Sequence, residues 1–338
     1  MTHRTMALLA GAFAVSTLYA ADSDANGCRK LSALPEPGIH PRVFFTADEY
    51  PLMKERLAAP HFQKAFGTMR QQAVDRCRKG QWRKLADADF DLEGVSDEDI
   101  LDWFKGGEGR NQDWGVASVH AILEDDTELQ NIMRRIIVNY ARVILASKER
   151  GVGGEQTGKT GQLLNKQLNI WTHNRWDVGV GWTFGAAGYA TAYDVLYNTM
   201  TPDERDLVRQ SIAAATQGRK SYGNGLPAGF ASSNHYGYHG DLAVMLSAIE
   251  GEPGFDQETW DGIVQVMRDY WEKGYTPFGY SREDGYGPNL GLRGGGRGFM
   301  VLARRGYNIF STEKYRNFLN YMVLDYDPYP GGHLNGGA

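Results

Sequence analysis

Apolar residues recur every three or four positions in one segment of this chain after another. In residues 128–150, for example, Ile132, Ile136, Tyr140 and Val143 follow this spacing. The spacing matches the period of an α-helix that turns one face toward a core. No run of alternating polar and apolar residues of the kind expected for a strand is evident. We therefore predict an all-α fold.

Helix-start signals divide the periodic segments into consecutive pairs. Thr201, Pro202 and Glu204 stand at the N-cap, N1 and N3 positions of one helix, and Thr46 with Glu49 forms a capping box at another. Antiparallel helix pairs assemble either as an open solenoid or as an α/α toroid. No strict short repeat is visible, which favours the toroid.

A toroid gathers the loops of one end around a central cleft. The polar and Gly-rich segments 151–182, 222–240 and 278–297 are therefore expected to converge there. The predicted architecture is an incomplete (α/α)n toroid of antiparallel helix pairs.

Composition excludes several classes of function. The chain has 338 residues, is 42% hydrophobic and 23% charged, and carries a formal net charge of −5. These values are typical of a globular protein and give no basic field for nucleic acid. No His, Cys and carboxylate cluster has the spacing of metal ligands, and the glycines at 294–296 do not form a phosphate-binding loop. We expect no metal and no cofactor.

The first 20 residues have the features of a secretory signal peptide. His3 and Arg4 precede an apolar run, and a small-residue cleavage site ends at Ala20. The run is too short to span a bilayer, so we predict a secreted or periplasmic protein that is not membrane-bound. A Pro-rich lead-in, 21–40, would precede the toroid domain at 41–338. Cys28 and Cys77 either pair in this compartment or stay free thiols.

A dense polar cluster stands where one helix is predicted to begin. Residues 230–241 read FASSNHYGYHGD and bring together Asn234, His235, Tyr236 and His239. An amide, imidazoles and phenols in so few positions suggest the lining of a sugar-binding cleft. Each such residue is also common as a helix cap or a packing group, so the cluster alone does not identify a function.

Four segments resemble a known family in content and order. They are HPRVFFTADEYPLMKERL (40–57), YATAYDVLYNTMTPDERDLVRQSI (189–212), SSNHYGYHGDLAVMLSAIEGEPG (232–254) and REDGYGPNLGLRGGGRGFMVLARRG (282–306). The order resembles that of heparinase II/III-like polysaccharide lyases and of the related α/α-toroid alginate and glucuronan lyases. The resemblance spans 40–333. It implies an α/α toroid that cleaves acidic polysaccharides by β-elimination at a uronic acid.

By local match, the resemblance implies a set of catalytic residues. Asn234 and His235 match the family's Asn-His pair, Tyr286 matches its tyrosine, and Arg293 resembles an arginine that follows a Pro-Asn pair in some alginate lyases. Gly287–Asn289 replaces the usual Pro-Glu-Gly, and Met300 replaces a tyrosine. Many members continue into a β-sandwich, which is absent from this sequence or belongs to a longer chain.

The proposed chemistry assigns a role to each group. Asn234 and Arg293 would neutralise the uronate carboxylate, His235 would act as base because histidine titrates near neutral pH, and Tyr286 would donate a proton to the departing oxygen. A second set of residues is predicted to bind the acidic polysaccharide substrate: His173, Asn174, Arg175, Tyr236, His239, Arg282 and Asn289.

Two other functions remain open at this stage. A toroidal glycoside hydrolase needs two opposed carboxylates, and Asp241, Glu283 and Asp284 are available. A carbohydrate-binding relative without catalytic activity is the other alternative. A lyase leaves an unsaturated sugar that absorbs ultraviolet light, which separates it from both.

Overall fold

A computed structural model describes residues 33–79, 83–97, 107–150, 179–216, 239–282 and 292–324. Within these ranges the regular structure is helical, and the β-type contact is an isolated antiparallel bridge between Tyr275 and Ser281. The predicted all-α class is confirmed.

Most of the α-helices follow the predicted segments. In chain order the α-helices are α1 Tyr50–Ala58, α2 Pro60–Lys79, α3 Arg83–Ala86, α4 Gly107–Leu123, α5 Thr127–Glu149, α6 Gly179–Leu196, α7 Pro202–Thr216, α8 His239–Ala248, α9 Gln257–Gly274, α10 Leu292–Ala303 and α11 Glu313–Leu324. In contrast to the prediction, α6 begins inside the predicted loop 151–182 and α10 begins inside the predicted loop 278–297. Short 3₁₀ turns lie at Ala47–Glu49, Tyr197–Thr199 and Ile309–Ser311.

The helix-start signals act as predicted. The backbone N–H of Thr201 donates to Glu204 Oε2 at 2.8 Å, and the backbone N–H of Glu204 donates to Thr201 Oγ1 at 3.3 Å. The backbone N–H of Thr46 likewise donates to Glu49 Oε2 at 2.9 Å. Each pair satisfies backbone donors that a helix start leaves open.

Burial separates inner helices from outer ones. Every residue of α8 is buried, as is every residue of α6 between 187 and 196. In contrast, α7 and α9 bury one face each, at positions three or four residues apart. A helix that is buried all round lies inside a protein, and an amphipathic helix lies at its surface. Thus α6 and α8 belong to an inner layer and α7 and α9 to an outer one.

Ion pairs between α8 and α10 show that these neighbours run parallel. Asp241 in the first turn of α8 pairs with Arg297 in the middle of α10. Glu250, just beyond the end of α8, pairs with Arg305, just beyond the end of α10. The N-terminal ends of both helices therefore lie at the same end of the layer.

Contacts at the opposite end extend this arrangement to α6 and α4. Tyr193, near the end of α6, donates its hydroxyl hydrogen to Glu252, just beyond α8, at 2.9 Å. Arg134, in the second turn of α5, donates to the carbonyl of Thr199, just beyond α6, at 3.0 Å. Since a short turn joins α4 to α5, α4 also ends there.

Thus α4, α6, α8 and α10 run parallel, and the intervening helices return in the opposite direction. Arg305, just beyond the end of α10, lies over the ring of Trp260 at 5.3 Å from the ring centroid. Because Trp260 is near the start of α9, this contact shows that α9 runs antiparallel to α10. The alternation is compatible with an α/α toroid. Closure into a ring stays a prediction.

Glycines allow α8 and α10 to approach at backbone distance. A Cβ atom added at Gly298 would lie 2.4 Å from the Cα of Gly240. A Cβ atom added at Gly296, two residues earlier on α10, would meet nothing within 4 Å. The first collision is with backbone and cannot be relieved by a side-chain rotation.

We therefore expect Gly298→Ala and Gly296→Ala to change stability in opposite directions. Gly298→Ala should destabilise the protein by about 1–3 kcal/mol through overpacking. Gly296→Ala should stabilise it by about 0.5–1 kcal/mol, because alanine loses less conformational entropy in a helix. Urea unfolding of the two variants provides the comparison. Equal effects would show that α8 and α10 do not meet at Gly298.

A buried ionic network closes the end where the inner helices finish. His40 donates from Nδ1 to Asp194 at 2.7 Å and from Nε2 to Glu252 at 2.8 Å, and its ring stacks on Tyr197. Both partners are carboxylates, which accept but do not donate, so His40 carries both protons. The backbone N–H groups of Arg42 and Val43 also donate to Asp194. The network joins the 40–43 segment to α6 and to the turn after α8.

This network makes stability depend on pH. Burial opposes the charge of His40, but the hydrogen bonds to Asp194 and Glu252 outweigh it and raise the pKa of His40 above 6.5. When the pKa of a histidine is higher in the folded state than in the unfolded state, protonation stabilises the fold. This stabilisation is fully present at a pH below the unfolded-state pKa and is lost as the pH rises through the folded-state pKa.

We expect the free energy of unfolding to fall as pH increases from about 6 upward, and His40→Gln to flatten that fall. Thermal unfolding across this range, with the wild type and the variant side by side, measures the difference. Parallel pH curves would show that His40 does not contribute.

Candidate active site

The predicted active-site segments lead directly into three parallel inner helices. Segment 171–178 precedes Gly179, the start of α6; segment 234–238 precedes His239, the start of α8; and segment 286–291 precedes Leu292, the start of α10. Packed neighbouring helices lie about 8–10 Å apart. The described helices therefore point their N-terminal ends toward the same end of the layer, opposite the His40 network.

Most of the predicted site residues lie outside the described residues. This applies to Asn234, His235, Tyr236, Tyr286, His173, Asn174, Arg175 and Asn289. Their roles stay predictions. The alternative carboxylates Glu283 and Asp284 lie outside the described residues as well.

The helix starts themselves have a chemical property that bears on the site. The first turn of a helix leaves backbone N–H groups without an acceptor in the helix itself and carries the positive end of the helix dipole. The N-terminal ends of α6, α8 and α10 all point toward the same end of the layer. This end of the layer is electrostatically suited to a carboxylate.

His239, predicted to contact substrate, is the first residue of α8 and is only 1% exposed. Such burial is more typical of a packing residue than of a cleft surface. Its predicted role in binding stays a prediction. The sequence cluster at 230–241 gave no sign of this difference, because buried and exposed imidazoles read alike in a sequence.

Arg282 and Arg293 lie at the same end as the helix starts. The backbone N–H of Arg282 donates to the carbonyl of Gly274, the last residue of α9, at 2.8 Å, and the side chain of Arg282 is exposed. Since α9 is antiparallel to α10, its end is near the start of α10. Arg293 is the second residue of α10; its side chain lies outside the described residues.

An ion pair that the sequence analysis did not anticipate connects α8 to α10 near this end. Asp241, which is fully buried, accepts a hydrogen bond on Oδ2 from Arg297 Nη2 at 3.3 Å, and its Oδ1 lies 3.0 Å from Arg297 Nε within the same ion pair. A charge-assisted hydrogen bond of this kind couples the two side chains. No local pattern in the sequence indicates the pair, because Asp241 and Arg297 are 56 positions apart.

This pair bears on the glycosidase alternative. Asp241 was one of its candidate carboxylates, yet both of its oxygens face Arg297 and its side chain is 1% exposed. A general acid or nucleophile must reach the sugar. Asp241 is therefore placed to hold Arg297 and α10 rather than to touch a substrate.

Lys314 is another basic group whose environment is unusual. Burial lowers the pKa of Lys314 to about 8. Its Nζ donates to the carbonyls of Trp271 and Tyr275, at 2.5 and 2.7 Å, and lies 5.0 Å from the ring centroid of Trp271. These carbonyls end α9, so Lys314 caps that helix. Its hydrogen bonds account for its position without a catalytic role.

The described residues contain no group of three or more His, Cys, Asp or Glu side chains able to hold a metal ion. Within the same ranges, no helix is both long and apolar enough to cross a membrane. Cys77 is buried and forms no disulfide with a described residue, and Cys28 lies outside them. The proposed signal peptide also falls outside the described residues.

Comparison with known proteins gives no further assignment. No protein-family model matches the chain, and no curated protein matches it in sequence. The resemblance to heparinase II/III-like lyases therefore rests on the four motifs and their order.

Proposed function

We propose that the protein is a polysaccharide lyase that cleaves a uronic-acid-containing polysaccharide by β-elimination. The observation that supports this proposal most is the shared direction of α6, α8 and α10. Because of it, the start of α8, which follows the Asn-His pair, and the start of α10, which follows the Asp-Gly-Tyr segment, lie at one end of the inner layer.

Chain length limits how far the catalytic groups lie from these helix starts. A residue spans at most roughly 3.3–3.6 Å of extended chain, so His235 lies within about 14 Å of His239. By the same rule, Tyr286 lies within about 22 Å of Leu292. Because α8 and α10 are neighbours, these limits allow both side chains to line one cleft, which supports the proposal.

The first chemical requirement is to lower the charge on the uronate carboxylate, since that charge makes the adjacent C5 proton weakly acidic. Asn234 would donate from its amide and Arg293 from its guanidinium, next to the positive ends of three helices. Arg297, held by Asp241 one turn further along α10, keeps α10 and α8 in register.

The second requirement is a base and an acid. His235 would remove the C5 proton, because an imidazole is neutral and basic near neutral pH. Tyr286 would protonate the departing O4, a role that needs no lowered pKa. The C4–O4 bond breaks as the C4=C5 double bond forms, and no water is consumed. The predicted signal peptide would direct the enzyme to the periplasm or the exterior, where such polysaccharides occur.

An ultraviolet assay against a panel of uronans tests the proposal. The purified protein, without residues 1–20, is incubated with alginate, polyglucuronate and heparan-type chains. We expect one of them to give a rising ultraviolet absorbance from the new C4=C5 bond. Reducing ends released without that absorbance would point to hydrolysis, and binding without products would point to a carbohydrate-binding protein.

A further inference from the structure

A second feature, distinct from the proposed catalytic residues, is a cavity among α1, α2, α4, α6 and α10. Its volume is about 530 Å³, in the range of small-molecule sites. Its walls are largely apolar and are formed by Phe45, Phe62, Phe66, Met69, Val116 and Val119, among others. Among the described residues that line it there is no carboxylate.

Apart from Thr191, the polar side chains that line this cavity are basic. Arg56, Arg70, Arg297 and His120 contribute to the lining. The charge of Arg297 is matched by Asp241, whereas Arg56 makes no ion pair with a described residue. Arg70 pairs weakly with the half-exposed Glu124, because Arg70 Nη1 lies 3.9 Å from Glu124 Oε1. The cavity therefore offers positive charge that nearby carboxylates do not fully balance.

His120 adds a hydrogen-bonding atom beside Arg70. Its Nδ1 is buried and meets no hydrogen-bond partner among the described residues. Burial, followed by the charge of Arg70, lowers the pKa of His120, so the ring is neutral near neutral pH. A buried polar atom without a partner is unfavourable, and a ligand oxygen or hydroxyl would relieve it.

Apolar side chains also stand at the surface beside the cavity. Phe66 is 46% exposed and Met69 is 52% exposed, both on α2, and Phe66 stacks on Phe62 with ring centroids 5.9 Å apart. Adjacent exposed apolar groups at the edge of a cavity are typical of a binding site.

We propose that this cavity binds a single amphiphilic anion, with an unbranched apolar chain in the cavity and a carboxylate-type head at Arg70 and Arg56. The apolar walls match the chain, and the unbalanced arginines match the head. The proposal does not rest on lyase activity, because it concerns binding in the absence of polysaccharide.

Titration calorimetry with dodecanoate, below its micelle concentration, tests the proposal on the whole protein. We expect saturable binding with one molecule per chain, and no comparable binding of dodecyltrimethylammonium, which has the opposite charge. Arg70→Ala should weaken dodecanoate binding about tenfold. Val116→Phe, which fills the cavity from α4, should abolish binding.

Two variants outside the cavity serve as controls. Val264→Phe on α9 and Arg316→Ala on α11 make the same chemical changes at half-buried and exposed positions and should bind dodecanoate like the wild type. Thermal unfolding establishes that each variant is folded. The proposal is overturned by no saturable binding, by equal binding of the cationic amphiphile, by unchanged binding to Val116→Phe, or by binding only to phosphatidylglycerol vesicles.

Discussion

Replacing Asp194 with alanine is expected to destabilise the protein by about 3–5 kcal/mol, the usual effect of removing one partner from a buried ion pair. Asp194 is 1% exposed and accepts from His40 Nδ1 and from the backbone N–H groups of Arg42 and Val43. Without the Asp194 carboxylate, the buried imidazolium of His40 and the buried backbone N–H groups of Arg42 and Val43 each lose a hydrogen-bond acceptor. Urea unfolding measures the change.

An exposed carboxylate provides the control for this substitution. Asp206 pairs with Arg209 within one turn of α7, and its side chain is 52% exposed. Exposed pairs contribute little to stability, so Asp206→Ala should unfold at nearly the wild-type urea concentration. If Asp194→Ala behaved like Asp206→Ala, the 40–43 segment would not be anchored as described.

The second large effect concerns catalysis. His235→Ala is expected to lower the rate of double-bond formation by about 10²–10⁴-fold, the usual contribution of a positioned general base. Tyr286→Phe, which removes only the phenolic hydroxyl, is expected to cause a loss of the same order. Both rates are measured by ultraviolet absorbance on the uronan that the wild type cleaves.

His61→Ala is the matched control for the histidine change, because His61 is exposed on α2. It should retain the wild-type rate. Unchanged thermal unfolding of the His235 and Tyr286 variants separates a chemical effect from misfolding. Full activity in either variant would remove that residue from the proposed mechanism.

Local sequence patterns were sufficient for the all-α class and for the helix starts that carry capping residues. The Thr201–Glu204 capping box depends on residues three positions apart, and the amphipathic faces of α7 and α9 repeat every three or four. Contacts between distant residues could not be predicted this way. His40 meets Asp194 across 154 positions and Glu252 across 212, and no short pattern encodes those pairs.

The same distinction applies to the candidate site. Motif order indicated which segments belong together, and the parallel course of α6, α8 and α10 is compatible with that grouping. The burial of His239 and the pairing of Asp241 with Arg297 depend on how α8 packs against its neighbours. A single sequence carries no periodic signal for either, because both depend on the close approach at Gly240 and Gly298.

The most direct test of the central claim is whether cleavage consumes water. The reaction is run in water enriched in a heavy oxygen isotope, and the products are analysed by mass spectrometry. Elimination predicts that the chain-end sugar formed at the cut is lighter by one water and gains no heavy oxygen. A product of full hydrolytic mass that carries the heavy isotope would contradict the account.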